Sequence, residues 1–204
     1  MLFEDTYFTI EKPGEGIFRD RGSKFLGFAY PISSDHYIKD IVAKLKQEHP
    51  KANHHCWAIR WSTDRSVFRI NDDGEPSGTA GRPILNTLLS RNLTNVAVVV
   101  VRYFGGTLLG VPGLINAYRT AAELALNETR VIEKTVNDVY TILFDYQQMN
   151  DVMRVVKEDN LEVLKQQFDN SCELMVSIRK MQVNQTLARL QKLSSVKAKY
   201  YYSV

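Results

Sequence analysis

Near the amino end, short and mainly apolar runs rich in aromatic residues at 7–10, 16–18 and 25–32 read as strands. Asp20-Arg21-Gly22-Ser23 is the turn between the last two, so the pattern predicts a meander. From Ser34 the period lengthens. Tyr37 or Ile38, Ile41, Val42 and Leu45 recur at three- and four-residue spacing, which predicts a helix stopped by Pro50, with Ser34 or Asp35 as N-cap. Strands are predicted at 54–61 and 66–70, followed by the turn-rich NDDGEPSGTAGRP. Pro83 sits where a short helix begins, with Ile84, Leu85, Leu88 and Leu89 on its apolar face. Residues 95–103 hold five valines and little polar material, the composition of a strand covered on both faces. The glycine-rich FGGTLLGVPG then connects to a helix with Leu114, Ala117, Tyr118, Ala121, Leu124 and Ala125 on one side.

After residue 133 the pattern restarts as strand 136–144, helix 147–158, strands 161–168 and 171–178, helix 183–193 and strand 196–202. That order is β-α-β-β-α-β, the ferredoxin-like split βαβ. The reading is therefore an α+β chain of two domains, 1–133 and 134–204.

Composition narrows the function classes. Hydrophobic residues make up 44% and charged residues 24%, which excludes wholesale disorder and fibrous repeats. A net charge of +3 is far from the balance of a non-specific nucleic-acid coat protein, so any nucleic-acid surface must be local. Cys56 and Cys172 are far apart and outside any CxxC, which supports neither a disulfide framework nor a four-ligand zinc site. The opening MLFEDTYFTIEKPGEG has early acidic residues and no long apolar run, and the apolar stretch 96–101 is too short to span a bilayer. A soluble, cytoplasmic chain without membrane partners is expected.

Two glycine-rich loops are the densest candidates for chemistry: Gly78-Thr79-Ala80-Gly81-Arg82-Pro83 and Arg102-Tyr103-Phe104-Gly105-Gly106-Thr107. Glycines let backbone amides approach an anion and a helix N-terminus adds partial positive charge, so phosphate is the natural ligand; tight turns and close packing are the competing reading. Neither GxxxxGK[ST] nor GxGxxG is present. Arg82 and Arg102 add charge to these loops, and Arg119 joins them if it faces the same way. Arg19, Arg21 and Lys24 crowd the first hairpin beside Phe18 and Phe25, a basic and aromatic tip suited to RNA, unless its charges serve solubility alone. Asp72, Asp73 and Glu75 form an acidic knot with the donor type for Mg²⁺ or acid–base work, against which stands an Asx-type turn paired with nearby arginines. His54 and Cys56 share a strand face, either as an imidazole–thiol pair or with the cysteine as core. No Ser-His-Asp order, HExxH or kinase motif is visible, and no cofactor or metal is expected.

The run NDDGEPSGTAGRPIL (71–85), followed by VAVVVVRYFGGTLLGVPGLINAY (96–118), resembles the signature of the IMPACT/YigZ family. RGSKFLGFAYP (21–31) and PKANHHCWA (50–58) resemble its other two blocks, and the carboxy-terminal split βαβ is similar to the second domain of bacterial YigZ-type members. The resemblance implies a first domain with the fold of the second domain of ribosomal protein S-five, shared with domain IV of elongation factor G and the protein subunit of ribonuclease P. It implies a second domain like domain V of the same elongation factor. It also implies a link to translation, because eukaryotic members compete for the activator of the kinase that senses uncharged tRNA.

Three functional readings follow. The first is a non-enzymatic protein that binds RNA, the ribosome or translation factors through Arg19, Arg21, Lys24, Arg82, Arg102, Gly105 and Gly106, or through a sheet face bearing Arg60 and Arg69. The second is an enzyme acting on a small phosphorylated or nucleotide ligand, with Asp72, Asp73 and Glu75 as acid–base groups or Mg²⁺ ligands and Arg82 and Arg102 as an anion clamp. The third is a protein-interaction regulator that binds no nucleic acid.

Overall fold

A computed structural model describes residues 5–62, 66–168 and 172–204. The first four residues and residue 171, where a strand was expected to begin, lie outside these. In chain order the elements are β1 (Thr6–Ile10), β2 (Gly14–Asp20), β3 (Ser23–Pro31), α1 (Tyr37–Glu48), β4 (His54–Trp61), β5 (Val67–Asn71), α2 (Gly81–Ser90), β6 (Val96–Tyr103), α3 (Gly110–Asn127), β7 (Val131–Thr135), β8 (Asn137–Phe144), α4 (Met149–Glu158), β9 (Glu162–Phe168), β10 (Cys172–Arg179), α5 (Val183–Leu190) and β11 (Lys197–Ser203). The chain divides into two compact units, Phe8–Glu133 and Lys134–Val204, with residues through Tyr7 grouped with the latter. The amino end joins the second unit because the Asp5 carbonyl accepts from Val136 N at 2.6 Å, while its buried carboxylate takes Arg179 Nε at 2.6 Å and Nη2 at 3.0 Å. β1 accordingly pairs with β7 and not with the expected meander.

The larger unit is a five-stranded sheet in the order β2-β3-β6-β4-β5, with every neighbouring pair antiparallel. Central β6 is buried from Val96 through Arg102, so both of its faces must be apolar, and the valine run satisfies this at a two-residue period. One face packs Leu26, Phe28, Ile59, Val99 and Val101 against Ile38 and Leu45 of α1. The other packs Phe25, Ala29, Cys56, Ala58 and Val98 against Ile84, Leu85 and Leu88 of α2 and Ala117, Tyr118 and Ala121 of α3. Full burial of each large aliphatic side chain is worth about 1.5–3 kcal/mol, and these two layers hold the sheet. α3 lies so close over β3 that a Cβ on Gly27 would meet the Ala121 carbonyl oxygen at 2.2 Å.

α1 begins at Tyr37 with His36 at its N-cap and no side-chain cap, so neither Ser34 nor Asp35 plays the expected role; the Asp35 carboxylate instead pairs with Arg69 at 3.0 Å. α3 starts at Gly110, four residues before the predicted helix, because Pro112 falls in its first turn, where the N–H that proline lacks has no intrahelical partner.

The smaller unit has the sheet order β11-β8-β10-β9, antiparallel throughout, with α4 and α5 in its two crossovers. Its core joins Ile142, Phe144, Leu174, Val176 and Ile178 of the sheet to Val152, Val155, Val183 and Leu190 of the helices. No helix among the described residues is long and apolar enough to cross a membrane.

Candidate nucleic-acid interface and the adjoining cleft

The first glycine-rich loop is filled by the chain itself. The Asp72 carboxylate accepts from Gly78 N at 2.9 Å, Ala80 N at 3.1 Å and Gly81 N at 2.8 Å, placing its charge at the N-terminus of α2. The amides expected to cradle a phosphate therefore hold an internal anion. Arg82 projects from the same helix start and is exposed, its guanidinium carbon 5.8 Å from the Phe68 ring centroid.

The second loop is built differently. Arg21 (φ 45°) and Gly22 (φ 79°) form a tight two-residue turn between β2 and β3, which places Arg19 directly opposite Lys24. Gly105 packs against that turn so closely that a Cβ would sit 1.9 Å from the Gly22 carbonyl carbon, and its N–H donates to Ser23 Oγ at 3.1 Å. This contact joins the basic hairpin to the loop after β6. Arg19 and Arg21 are exposed there, Lys24 lies 6.0 Å from the Tyr103 ring centroid, and Phe104 is nearly half exposed. Gly106 (φ 87°) has open space around it, so its backbone is uncovered.

Between the two loops lies a buried polar network. Arg102 and Glu75 are 6% and 3% exposed at their side chains, and Arg102 Nη1 donates to Glu75 Oε1 at 2.5 Å. Tyr118 donates its hydroxyl to the same oxygen at 2.7 Å, and His54 Nε2 stands 3.8 Å from it. The guanidinium is also sandwiched between Phe25 and Phe104, at 5.4 and 5.5 Å from their centroids. The Cys56 thiol donates to the Asp72 carbonyl at 3.0 Å, and burial pushes the thiol and the Tyr118 hydroxyl far above their ordinary pKa values. A thiol held protonated is not a nucleophile, so Cys56 serves as core. His54 and Cys56 share their face as expected, but His54 Nδ1 is 2.8 Å from the Asp73 carbonyl. A carbonyl only accepts, so His54 Nδ1 donates.

Above this network opens a cleft of about 400 Å³, lined by Pro76, Phe104, Leu108, Leu109, Val111 and Leu114 with His54, Glu75 and Arg102 at its polar end. The three acidic residues of the knot point to three destinations. Asp72 goes to the start of α2, and Glu75 goes to Arg102. Asp73, at φ 41°, accepts from His55 N at 2.7 Å, with Lys46 Nζ 3.7 Å away. Among the described residues no group of three or more His, Cys, Asp or Glu side chains converges to hold a metal.

The family model of the Impact N-terminal domain matches residues 21–126, a span that holds both loops, the cleft and most of the hairpin tip. The chain belongs to the IMPACT family. An IMPACT family member from Haemophilus influenzae is 37% identical over 175 residues, covering 85% of each chain. The IMPACT family member YigZ from Escherichia coli is 32% identical over 174 residues, 84% of this chain and 85% of its own. A crystal structure described as a hypothetical protein is 28% identical, covers 96% of this chain and 97% of its own, and superposes with a TM-score of 0.73. IMPACT-family relatives thus span both units of the chain.

Other arginines singled out from the sequence do not gather. Arg60 and Arg69 occupy opposite faces of the sheet, since Arg60 pairs in register with Phe68 and Arg69 with Ile59. Arg60 is buried and donates to the Leu93 carbonyl at 3.0 Å, whereas Arg69 is exposed beside Asp35 and Trp61. The shared face expected of them does not exist. Arg119 donates to Asn116 on its own helix at 2.8 Å. Sequence reasoning placed Tyr118 in the apolar face of α3 and missed its hydroxyl, and it did not single out Phe104, Leu108 or Val111. The signal for the last three was their apolar character in and just after a glycine-rich loop, where nothing local calls for large side chains.

Proposed function

We propose that this IMPACT-family chain is a non-enzymatic RNA-binding protein that acts on the translation apparatus in the cytoplasm. The observation that carries the reading is the Gly22–Gly105 backbone contact, which sets exposed Arg19 and Arg21 and half-buried Lys24 beside exposed Phe104 and Gly106. Cations placed next to an aromatic ring and an uncovered backbone suit phosphates and unstacked bases together. The link to translation, and the likeness of the two units to the S-five-type domain and to domain V of elongation factor G, are proposals drawn from the family resemblance. The anion surface is then the hairpin tip with the second glycine loop, while Arg82 and the first loop play no part.

Anisotropy titrations of structured RNA, tRNA and ribosomes test it. With three phosphate contacts, a fourfold rise in salt lowers affinity roughly 20- to 40-fold. Arg19→Ala with Arg21→Ala reduces the slope of log K against log salt by about two while leaving the fold intact. Binding that is absent, or insensitive to salt, overturns the reading.

A further inference from the structure

We infer that the cleft beside Arg102 receives a single unstacked nucleobase, an inference that rests on the RNA-binding reading and names what that surface reads. Three observations lead to a base in preference to another ligand. The first is the electrostatics of the polar end. Arg102 carries a positive charge, but Glu75 cancels it at 2.5 Å, so an anion entering the cleft meets a carboxylate as soon as it meets the guanidinium. The cleft therefore favours a neutral polar group over a phosphate, which distinguishes it from the hairpin tip.

The second is the hydrogen-bonding capacity left open there. Arg102, Tyr118 and His54 all converge on Glu75 Oε1, and Oε2 has no partner among the described residues. Arg102 Nε is buried without a partner in a side chain only 6% exposed. His54 Nδ1 donates to the Asp73 carbonyl, which turns the Nε2 edge of the ring toward Glu75. An acceptor next to a donor matches the edge of a base that carries an exocyclic amino group beside a ring nitrogen or carbonyl. A buried donor left unpaired costs free energy, which a ligand that pairs it recovers.

The third is the shape and lining. The walls are Pro76, Leu108, Leu109, Val111, Leu114 and the Phe104 ring, and a volume of about 400 Å³ lies in the range of small-ligand clefts. Leu108 is 82% exposed and Val111 52%, so the rim is apolar and open. Phe104 belongs both to this wall and to the basic surface, so a base that leaves the stack enters where its phosphates meet Arg19, Arg21 and Lys24.

The test titrates the whole chain with adenosine, cytidine, guanosine and uridine while backbone amide resonances are followed by NMR. N-acetyl-leucinamide serves as a control, and in parallel single-stranded RNA octamers are compared with their abasic counterparts. Nucleosides are expected to shift Phe104, Leu108 and Val111. Phe104→Ala, at a nearly half-exposed side chain, is expected to weaken base-bearing octamers about tenfold and to leave the salt slope unchanged, and is read with its amide spectrum folded. Abasic octamers should bind about tenfold more weakly and be indifferent to Phe104→Ala. Glu75→Gln is a second variant, read only if its amide spectrum remains folded, and it should abolish the nucleoside shifts. Nucleosides that leave the cleft resonances unmoved, or N-acetyl-leucinamide that moves them equally, overturn the inference. Octamers and abasic octamers binding alike with a normal salt slope overturn it while the RNA-binding reading stands. Nucleoside shifts without any salt-sensitive RNA binding would support the base pocket and sink the RNA-binding reading instead.

Discussion

The two glycine-rich loops read alike in the sequence and do opposite things in the fold. The loop at 78–83 points its amides inward at Asp72, six to nine residues upstream, so its anion is covalently part of the chain. The loop at 104–107 uses Gly105 to touch a neighbouring turn and leaves Gly106 and Phe104 at the surface. A row of backbone donors is therefore a ligand site only where no side chain of the same protein has reached it first. The glycines alone cannot tell these cases apart, because both need residues without a Cβ.

The largest effect is expected where the loops share a buried contact. Arg102→Met leaves the Glu75 carboxylate 3% exposed without its cation, and loss of one partner of a buried pair costs about 3–5 kcal/mol. Combining it with Glu75→Gln removes the stranded charge and should recover part of that loss in urea denaturation. If Arg102→Met alone is neutral, the pair does not tie the loops together.

Next in size is Asp72→Ala. Three amides lose a charged acceptor, for which about 2–3 kcal/mol of destabilisation is expected by the same measurement. The change also sharpens the contrast between the loops, since an emptied cradle at a helix N-terminus should accept sulfate. Sulfate should stabilise Asp72→Ala more than the parent chain. Equal stabilisation of both would show that the loop was never an internal anion site.

Elements were legible wherever one period ran unbroken. The valines of β6 and Ile84, Leu85 and Leu88 of α2 show their buried faces through spacing alone, whereas Leu89, read into the same face, is exposed. β7 was missed because Val131 and Ile132 are followed at once by Glu133 and Lys134, too short a run to register against the charged background. The role of Asp72 was partly visible, since an Asx-type turn was one reading of the knot, but its target amides belong to the helix beyond the turn. Glu75 and Arg102 were less accessible still. They are 27 residues apart, and the burial of both depends on Tyr118 arriving from α3 to supply a second donor. Charged residues are ordinarily read as solvated, and only the assembled core reverses that expectation. The opposed faces of Arg60 and Arg69 depend on the β4–β5 register, which strand periodicity does not set.

The smallest effects separate the two glycines within the second loop. Gly105→Ala places a methyl 1.9 Å from the Gly22 carbonyl carbon, so hairpin and loop must part, at a cost of about 1–3 kcal/mol. Gly106→Ala has room for its methyl but must hold φ near 87°, which costs about 1 kcal/mol. Their effects on RNA binding should rank the same way for a different reason. Gly105→Ala carries the basic tip away from Phe104 and should weaken binding well beyond its effect on stability. Gly106→Ala leaves both in place and should bind as the parent does. If both variants bind alike, the backbone contact is packing only, and the surface offered to RNA is the hairpin by itself.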